Sequence, residues 1–287
     1  MRWYGYFALL SLGLCQYLMF RKVEPVYTFF TPIQWWNYIF LADAIVWGRQ
    51  KRSLISDRPR EFLLMLVLSN VCWLVFEGYN LLLKNWYYIN LAPQQWHRLL
   101  GYFAAFATIF PGIFITADLL ESFGLFKERE LKPKKVTPAF LIGSFAAGAT
   151  AVLFPLIFPS PYVFGLVWLG FFFVLEPVNY WRKDSSLYAD IERGSLRRLW
   201  LLLAGGAICG FLWEFWNFWA GAKWIYTVPF TKNLKYFEMP LLGLLGFPPF
   251  ALECFAMYHF TRSLIGKASL AVSESDRRST ARVRTAV

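Results

Sequence analysis

Trp73-Leu-Val-Phe-Glu77-Gly-Tyr-Asn80, followed by Trp86-Tyr-Tyr88, and Phe211-Leu-Trp-Glu214-Phe-Trp-Asn217, followed by Trp224-Ile-Tyr226, are two versions of one pattern. Each sets a carboxylate inside an apolar run, an asparagine three residues later, and a Trp-x-Tyr element beyond the run. A charged side chain in hydrocarbon is expensive and seldom accidental, and usually faces a bundle interior or a cavity. Outward from these stretches the acids continue to match. Asp43 and Asp118 flank Glu77, as Glu176 and Glu253 flank Glu214, and Glu238 stands apart. The same placement twice in one chain points to a duplicated intramembrane site.

Composition places that site in a bilayer. The 287 residues are 57% hydrophobic and 16% charged, with a mean hydropathy of +0.41; a soluble domain averages roughly 25% charged. Apolar runs of about 20 residues recur, the length that crosses a membrane as a helix. The net charge of +11 does not imply nucleic acid. It concentrates beside the apolar runs, at Arg49 to Arg60, Lys127 to Lys135, Arg182 to Arg198 and from Arg262 onward, as topology signals do. Cys15, Cys72, Cys209 and Cys254 lie in apolar runs without metal spacing and read as small buried hydrophobes. His97 and His259 share no ligating spacing, and no metal or cofactor is expected. The start of the chain carries no small-residue cleavage site after its apolar run and reads as a retained first span.

The expected fold class is all-α, a polytopic membrane helix bundle. Eight spans are expected, at roughly 3–20, 32–48, 62–83, 99–123, 138–158, 162–181, 199–220 and 240–262. Basic loops follow alternate spans, which puts both termini on the cytoplasmic side of an inner or plasma membrane. The chain then divides into a four-helix repeat at 1–130, a second at 138–266, and a disordered basic cytoplasmic tail at 267–287. Leu41-Ala-Asp43 corresponds to Leu175-Glu176, each followed by a basic loop. Leu100-Gly101 leads to Phe110-Pro111 and Asp118, as Leu242-Gly243 leads to Phe247-Pro248 and, more loosely, to Glu253. Four spans is an even number, so the copies share one orientation, as parallel repeats do. No pair of broken helices at equivalent positions is expected.

The chemistry follows from the residue types. Positions i and i+3 share a helix face, so Glu77 with Asn80, and Glu214 with Asn217, form compact polar spots. A carboxamide can hold or orient a carboxyl group. A carboxyl out of water favours its protonated form and can then serve as a proton donor. The same pairs could instead be interhelical glue. Glu214 and Glu77 are the first candidates for a catalytic acid, Glu253 and Glu176 for partners or bases with Asp43 beside them, and Asn217 and Asn80 for orienting groups. Trp213, Trp216, Trp224 and Tyr226, with Trp73, Trp86 and Tyr88, are the expected substrate-binding wall. Asp118 and Glu238 receive no role.

The run Leu212-Trp-Glu214 to Gly221-Ala-Lys-Trp224-Ile-Tyr226, continuing to Pro248-Pro-Phe-Ala-Leu-Glu253, resembles the small membrane domain of the flavin-independent lycopene cyclases. Trp213 and Glu214, Trp224 and Tyr226, then Leu252 and Glu253 occupy that family's motif positions, and Leu175-Glu176 resembles its acid-bearing first span. The first half matches through Glu77, Trp86 and Tyr88. Three departures stand beside the match. Glu253-Cys254 replaces paired acids, the Gly-to-Trp spacing is one residue longer, and each half carries an extra leading span. The resemblance implies acid–base chemistry without a cofactor, on a long polyene or isoprenoid inside the bilayer. A protonated double bond would give a carbocation held by aromatic faces, in a dry site where aimed charges act strongly.

Two function classes result. One is an integral membrane enzyme of isoprenoid or carotenoid-type lipid metabolism, acting as a cyclase, isomerase or hydratase. The other is a proton-coupled transporter or lipid carrier using the paired acids, since repeats and membrane acids also mark transport. The expected partners are the lipid bilayer and an apolar isoprenoid or lipid substrate, with no nucleic acid, and homo-oligomerisation is left open.

Overall fold

A computed structural model of the chain describes residues 1–127, 132–229 and 234–265. The expected tail at 267–287 and the end of the expected second repeat lie outside the described residues. In chain order the helices are α1 (Trp3–Phe20), α2 (Phe30–Gln50), the short α3 (Leu54–Asp57) and α4 (Pro59–Leu83). After strand β1 (Trp86–Ile89) come α5 (Gln95–Phe106), α6 (Ile109–Ser122), α7 (Pro138–Ile157), α8 (Phe164–Trp181), the short α9 (Leu187–Glu192) and α10 (Arg197–Trp219). Strands β2 (Lys223–Tyr226), β3 (Lys235–Tyr236) and β4 (Met239–Pro240) precede the single turn α11 (Leu241–Leu244) and α12 (Phe247–Ile265).

The chain is mostly helical. Among the described residues, five helical segments are long and apolar enough to cross a membrane: Pro59–Leu83, Gln95–Ser122, Pro138–Ile157, Pro161–Trp181 and Arg197–Trp219. That is the mark of an integral membrane protein. The outward faces agree. Leu63, Val67, Val71, Leu74 and Leu81 of α4 are all exposed, as are Ile142, Leu153 and Ile157 of α7. In water such a surface would be an aggregation hazard; in lipid it carries no such penalty.

The helices pack in matching pairs. α1 lies on α2 and α7 on α8; α2 packs on α6 and α8 on α12; α4 and α10 complete the centre against α6 and α12. Polar contacts repeat at corresponding places. Tyr38 of α2 hydrogen-bonds Thr116 of α6 at 2.7 Å, and the Phe171 backbone N–H of α8 donates to Glu253 of α12 at 2.9 Å. Thr116, rather than Asp118, is therefore the residue that stands opposite α2 as Glu253 stands opposite α8.

Two expectations are corrected. The all-α reading omitted an antiparallel ribbon. β1 pairs with β2 in the register Trp86↔Tyr226, Tyr87↔Ile225 and Tyr88↔Trp224. These four-residue strands are too short to register in an apolar-length count, but their aromatic and β-branched make-up suits a strand. The second correction concerns unbroken spans. The helical run at 95–122 breaks at Ala107–Thr108 between α5 and α6, and the run at 241–265 breaks at Leu245–Gly246 between α11 and α12. The two breaks are equivalent, because each is followed by Phe-Pro in the first turn of the next helix: Phe110-Pro111 and Phe247-Pro248. Proline lacks an N–H and is tolerated where helical N–H groups have no partner, so it marks a fresh start.

Each break is held differently. Ser69 of α4 donates to Phe106 O at 2.5 Å and accepts from Phe110 N at 3.2 Å, stitching the ends of α5 and α6. At the second break α10 presents Gly206 instead. A Cβ there would meet Phe247 O at 2.6 Å, so only glycine lets the two backbones come this close.

Candidate functional site

The ribbon explains the Trp-x-Tyr spacing. Side chains two apart on a strand share a face, so Trp86 and Tyr88 of β1 look the same way as Trp224 and Tyr226 of β2. All four line a cavity of about 150 Å³ beneath the ribbon. Its other walls include Trp73 of α4, Trp213 of α10, Trp35 of α2, Trp168 of α8 and Phe250 of α12, with Phe106 and Phe247 from the two helix breaks. Irregular backbone at membrane depth is found where it lines a cavity or is buried in protein. Both halves of the chain therefore contribute to one chamber.

Each carboxyl of the two opening motifs stands one hydrogen bond behind this wall. Glu77 Oε1 accepts from Tyr88 OH at 2.5 Å, from Trp73 Nε1 at 3.0 Å and from Trp86 Nε1 at 3.2 Å. Glu214 Oε1 accepts from Tyr226 OH at 2.9 Å. Burial, then the adjacent carboxylate, raises both phenols well above their ordinary range; each keeps its proton and is the donor of its pair. The surroundings differ. Glu77 is half-buried, whereas Glu214 is fully buried and its Oε2 makes no hydrogen bond among the described residues.

The asparagines do something other than orient these acids. Asn80 Oδ1 accepts from Trp86 N at 3.1 Å and Asn85 N at 2.8 Å, while its Nδ2 donates to Trp86 O at 2.9 Å. Asn217 Oδ1 accepts from Trp224 N, and its Nδ2 donates to Trp224 O, both at 2.9 Å. Each carboxamide thus satisfies both backbone groups of the first chamber tryptophan on its strand. The i, i+3 spacing puts a carboxyl beside the tyrosine side chain and a carboxamide beside the strand backbone.

Asp43 and Glu176 lie away from the chamber wall. Asp43 accepts from Ser53 Oγ at 2.8 Å, Ile55 N at 3.0 Å and Tyr4 OH at 2.6 Å. Glu176 accepts from Ser186 Oγ at 2.8 Å, Tyr188 N at 3.1 Å and Leu187 N. Each acid holds the first turn of the short helix that follows it, where free N–H groups favour a carboxylate. The sequence signal was there and was missed: Ser-Leu-x-x-Asp occurs at 53–57 and 186–190, and each serine caps its short helix.

Of the expected aromatic wall, Trp213, Trp224, Tyr226, Trp73, Trp86 and Tyr88 line the chamber. Trp216 does not; it stands behind Trp35, edge-on with ring centroids 5.1 Å apart. Glu253 is also outside the wall, and its Oε2 makes no hydrogen bond among the described residues. Glu238 pairs with Lys223 at 2.7 Å beside the chamber. Trp35 and Trp168 were missed, although each precedes its acid, Asp43 or Glu176, by the same eight positions. Among the described residues no group of three or more His, Cys, Asp or Glu side chains is gathered for a metal ion.

Compared with family models, curated proteins and solved structures, the chain matches none.

Proposed function

We propose that the chain is an integral membrane enzyme acting on the end of an isoprenoid or similarly apolar lipid, with Glu77–Tyr88 and Glu214–Tyr226 as its acid–base units. The observation that carries this reading is the pair of carboxyl–phenol contacts, 2.5 and 2.9 Å, set behind one aromatic chamber. A carboxyl holds or releases the proton, the phenol faces the cavity, and the surrounding indole faces stabilise positive charge on a reacting carbon. A cavity of about 150 Å³ is roughly the space that takes one six-membered ring, so one terminal unit enters while the rest of a long molecule stays outside. The resemblance to the flavin-independent lycopene cyclases supports cyclisation, isomerisation or hydration as the reaction class.

The proposed architecture is eight spans in two parallel four-helix units, α1 to α6 and α7 to α12, with both termini cytoplasmic in an inner or plasma membrane. Its support is the register of the ribbon. Trp86 stands opposite Tyr226 and Tyr88 opposite Trp224, the self-complementary pairing that a two-fold axis between the units requires. The test is the lipid and pigment profile of cells with and without the gene, by mass spectrometry. A shifted isoprenoid profile is expected, and Glu214→Gln or Glu77→Gln should abolish the shift through a rate loss on the order of 100-fold or more. An unchanged profile overturns the reading.

One observation favours the transport alternative. The equivalent helix breaks at Ala107–Thr108 and Leu245–Gly246 resemble the discontinuous helices at transporter binding sites. A pH-dependent solute flux in proteoliposomes, lost with Glu214→Gln and without any change in lipids, would select it.

A further inference from the structure

The chamber wall is apolar except for an imbalance in its hydrogen-bonding groups. No Asp, Glu, Asn, Gln or His side chain lines it. Two lining residues of α2 carry buried groups that find no partner among the described residues: Thr31 Oγ1 and Trp35 Nε1. Both are deep, with Trp35 1% and Thr31 5% exposed. An indole N–H can only donate, and a hydroxyl can do so. The cations of the wall add to the same side. Lys223 is engaged by Glu238 and by Phe218 O, and Arg98 stands exposed. The walls therefore offer donors, while Glu77 and Glu214 stand behind them and accept from Tyr88 and Tyr226.

A buried donor without an acceptor is costly, and native structures rarely keep one. These two stand four positions apart on α2, on one helix face, and line the same cavity. A pure hydrocarbon would leave both unpaired. We infer that the natural occupant carries a hydrogen-bond-accepting oxygen, a carbonyl or carbinol, on the ring-sized end that enters the chamber. This deepens the function proposed above and rests on it for taking the chamber as the seat of the substrate. It narrows the substrate class from hydrocarbon isoprenoids to oxygenated ones.

The test is binding rather than turnover. The full chain in lipid nanodiscs is dialysed against a trimethylcyclohexenone, and separately against the trimethylcyclohexene in which a methylene replaces the carbonyl, with protein-free nanodiscs subtracted. The ketone should bind about 10-fold tighter, from one to two hydrogen bonds, and its infrared carbonyl stretch should fall on binding. Thr31→Val, which keeps the shape, and Trp35→Phe, which keeps an aromatic ring, should each weaken ketone binding about 5-fold and leave hydrocarbon binding unchanged. Equal affinity for the two probes, or a preference surviving both substitutions, overturns the inference and leaves the enzyme reading standing on the lipid profile. If neither probe binds, the inference falls together with the chamber as the substrate site.

Discussion

Glu77 and Glu214 come from matching stretches of sequence, yet their side chains live differently. Three donors converge on one Glu77 oxygen, whereas Glu214 has Tyr226 on one oxygen and none on the other among the described residues. A carboxyl with a free oxygen in a buried site is the better placed to exchange a proton, so Glu214→Gln should cost more activity than Glu77→Gln when product formation is compared. Asn80 and Asn217 act on backbone. Asn217→Ala removes two hydrogen bonds to Trp224 and should lower stability by about 2 kcal/mol, read as a lower Tm in detergent. Glu176→Gln should also lower Tm by loosening the turn at Ser186, with product formation retained. The phenols have a sign of their own. Folding raises the Tyr226 phenol well above its ordinary value, through burial first and the Glu214 carboxylate second. Its stabilisation is therefore whole below about pH 10, where a free phenol titrates, and is lost progressively at higher pH. Tyr226→Phe should flatten the alkaline fall in Tm between about pH 10 and 12; an unchanged slope would contradict this. The acids themselves were legible as the costliest residues in apolar runs. What each acid holds was not, because Glu77 reaches a strand, Asp43 a capping turn and Glu253 a neighbouring helix from equally apolar surroundings.

Helices were read within a few residues from apolar length alone: 62–83 against Pro59–Leu83, and 138–158 against Pro138–Ile157. The reading failed where length carries no information. The ribbon is short, and its Trp-x-Tyr alternation, a period of two, was noticed as a motif without being recognised as a strand face. The breaks in the runs at 95–122 and 241–265 were hidden because apolar composition continues through them. Their signal was the proline in the first turn of α6 and α12, which a count of apolar length does not weigh. The close approach of α10 to the second break gives a direct test. Gly206→Ala should destabilise the protein by about 1–3 kcal/mol, since a methyl group would press on Phe247 O and on Ala251. Gly78→Ala, where the same methyl group meets nothing within 4 Å, should leave Tm unchanged or slightly raised.

At the scale of the whole chain, the claim is that two parallel units close over one chamber and seal it with a ribbon drawn from both. The two units and their common orientation are proposed from sequence matching, through paired acids and paired loops. It could not supply the chamber, because the facing of Trp35 and Trp168 depends on how α2 and α8 rotate against their neighbours. The ribbon is the point where the claim is most exposed. Tyr87 and Ile225 stand directly opposite each other at its centre, and directly opposed positions in an antiparallel pair lie about 4.5–5.5 Å apart at Cα, within the range a disulfide spans. The native cysteines are all buried, so a new pair reports on its own. With Tyr87→Cys and Ile225→Cys combined in the full chain and oxidised in intact membranes, peptide mass spectrometry should find residues 87 and 225 joined by a disulfide. Absence of that cross-link in membrane-inserted, folded protein, with both thiols still free, would contradict the shared ribbon and the common chamber beneath it.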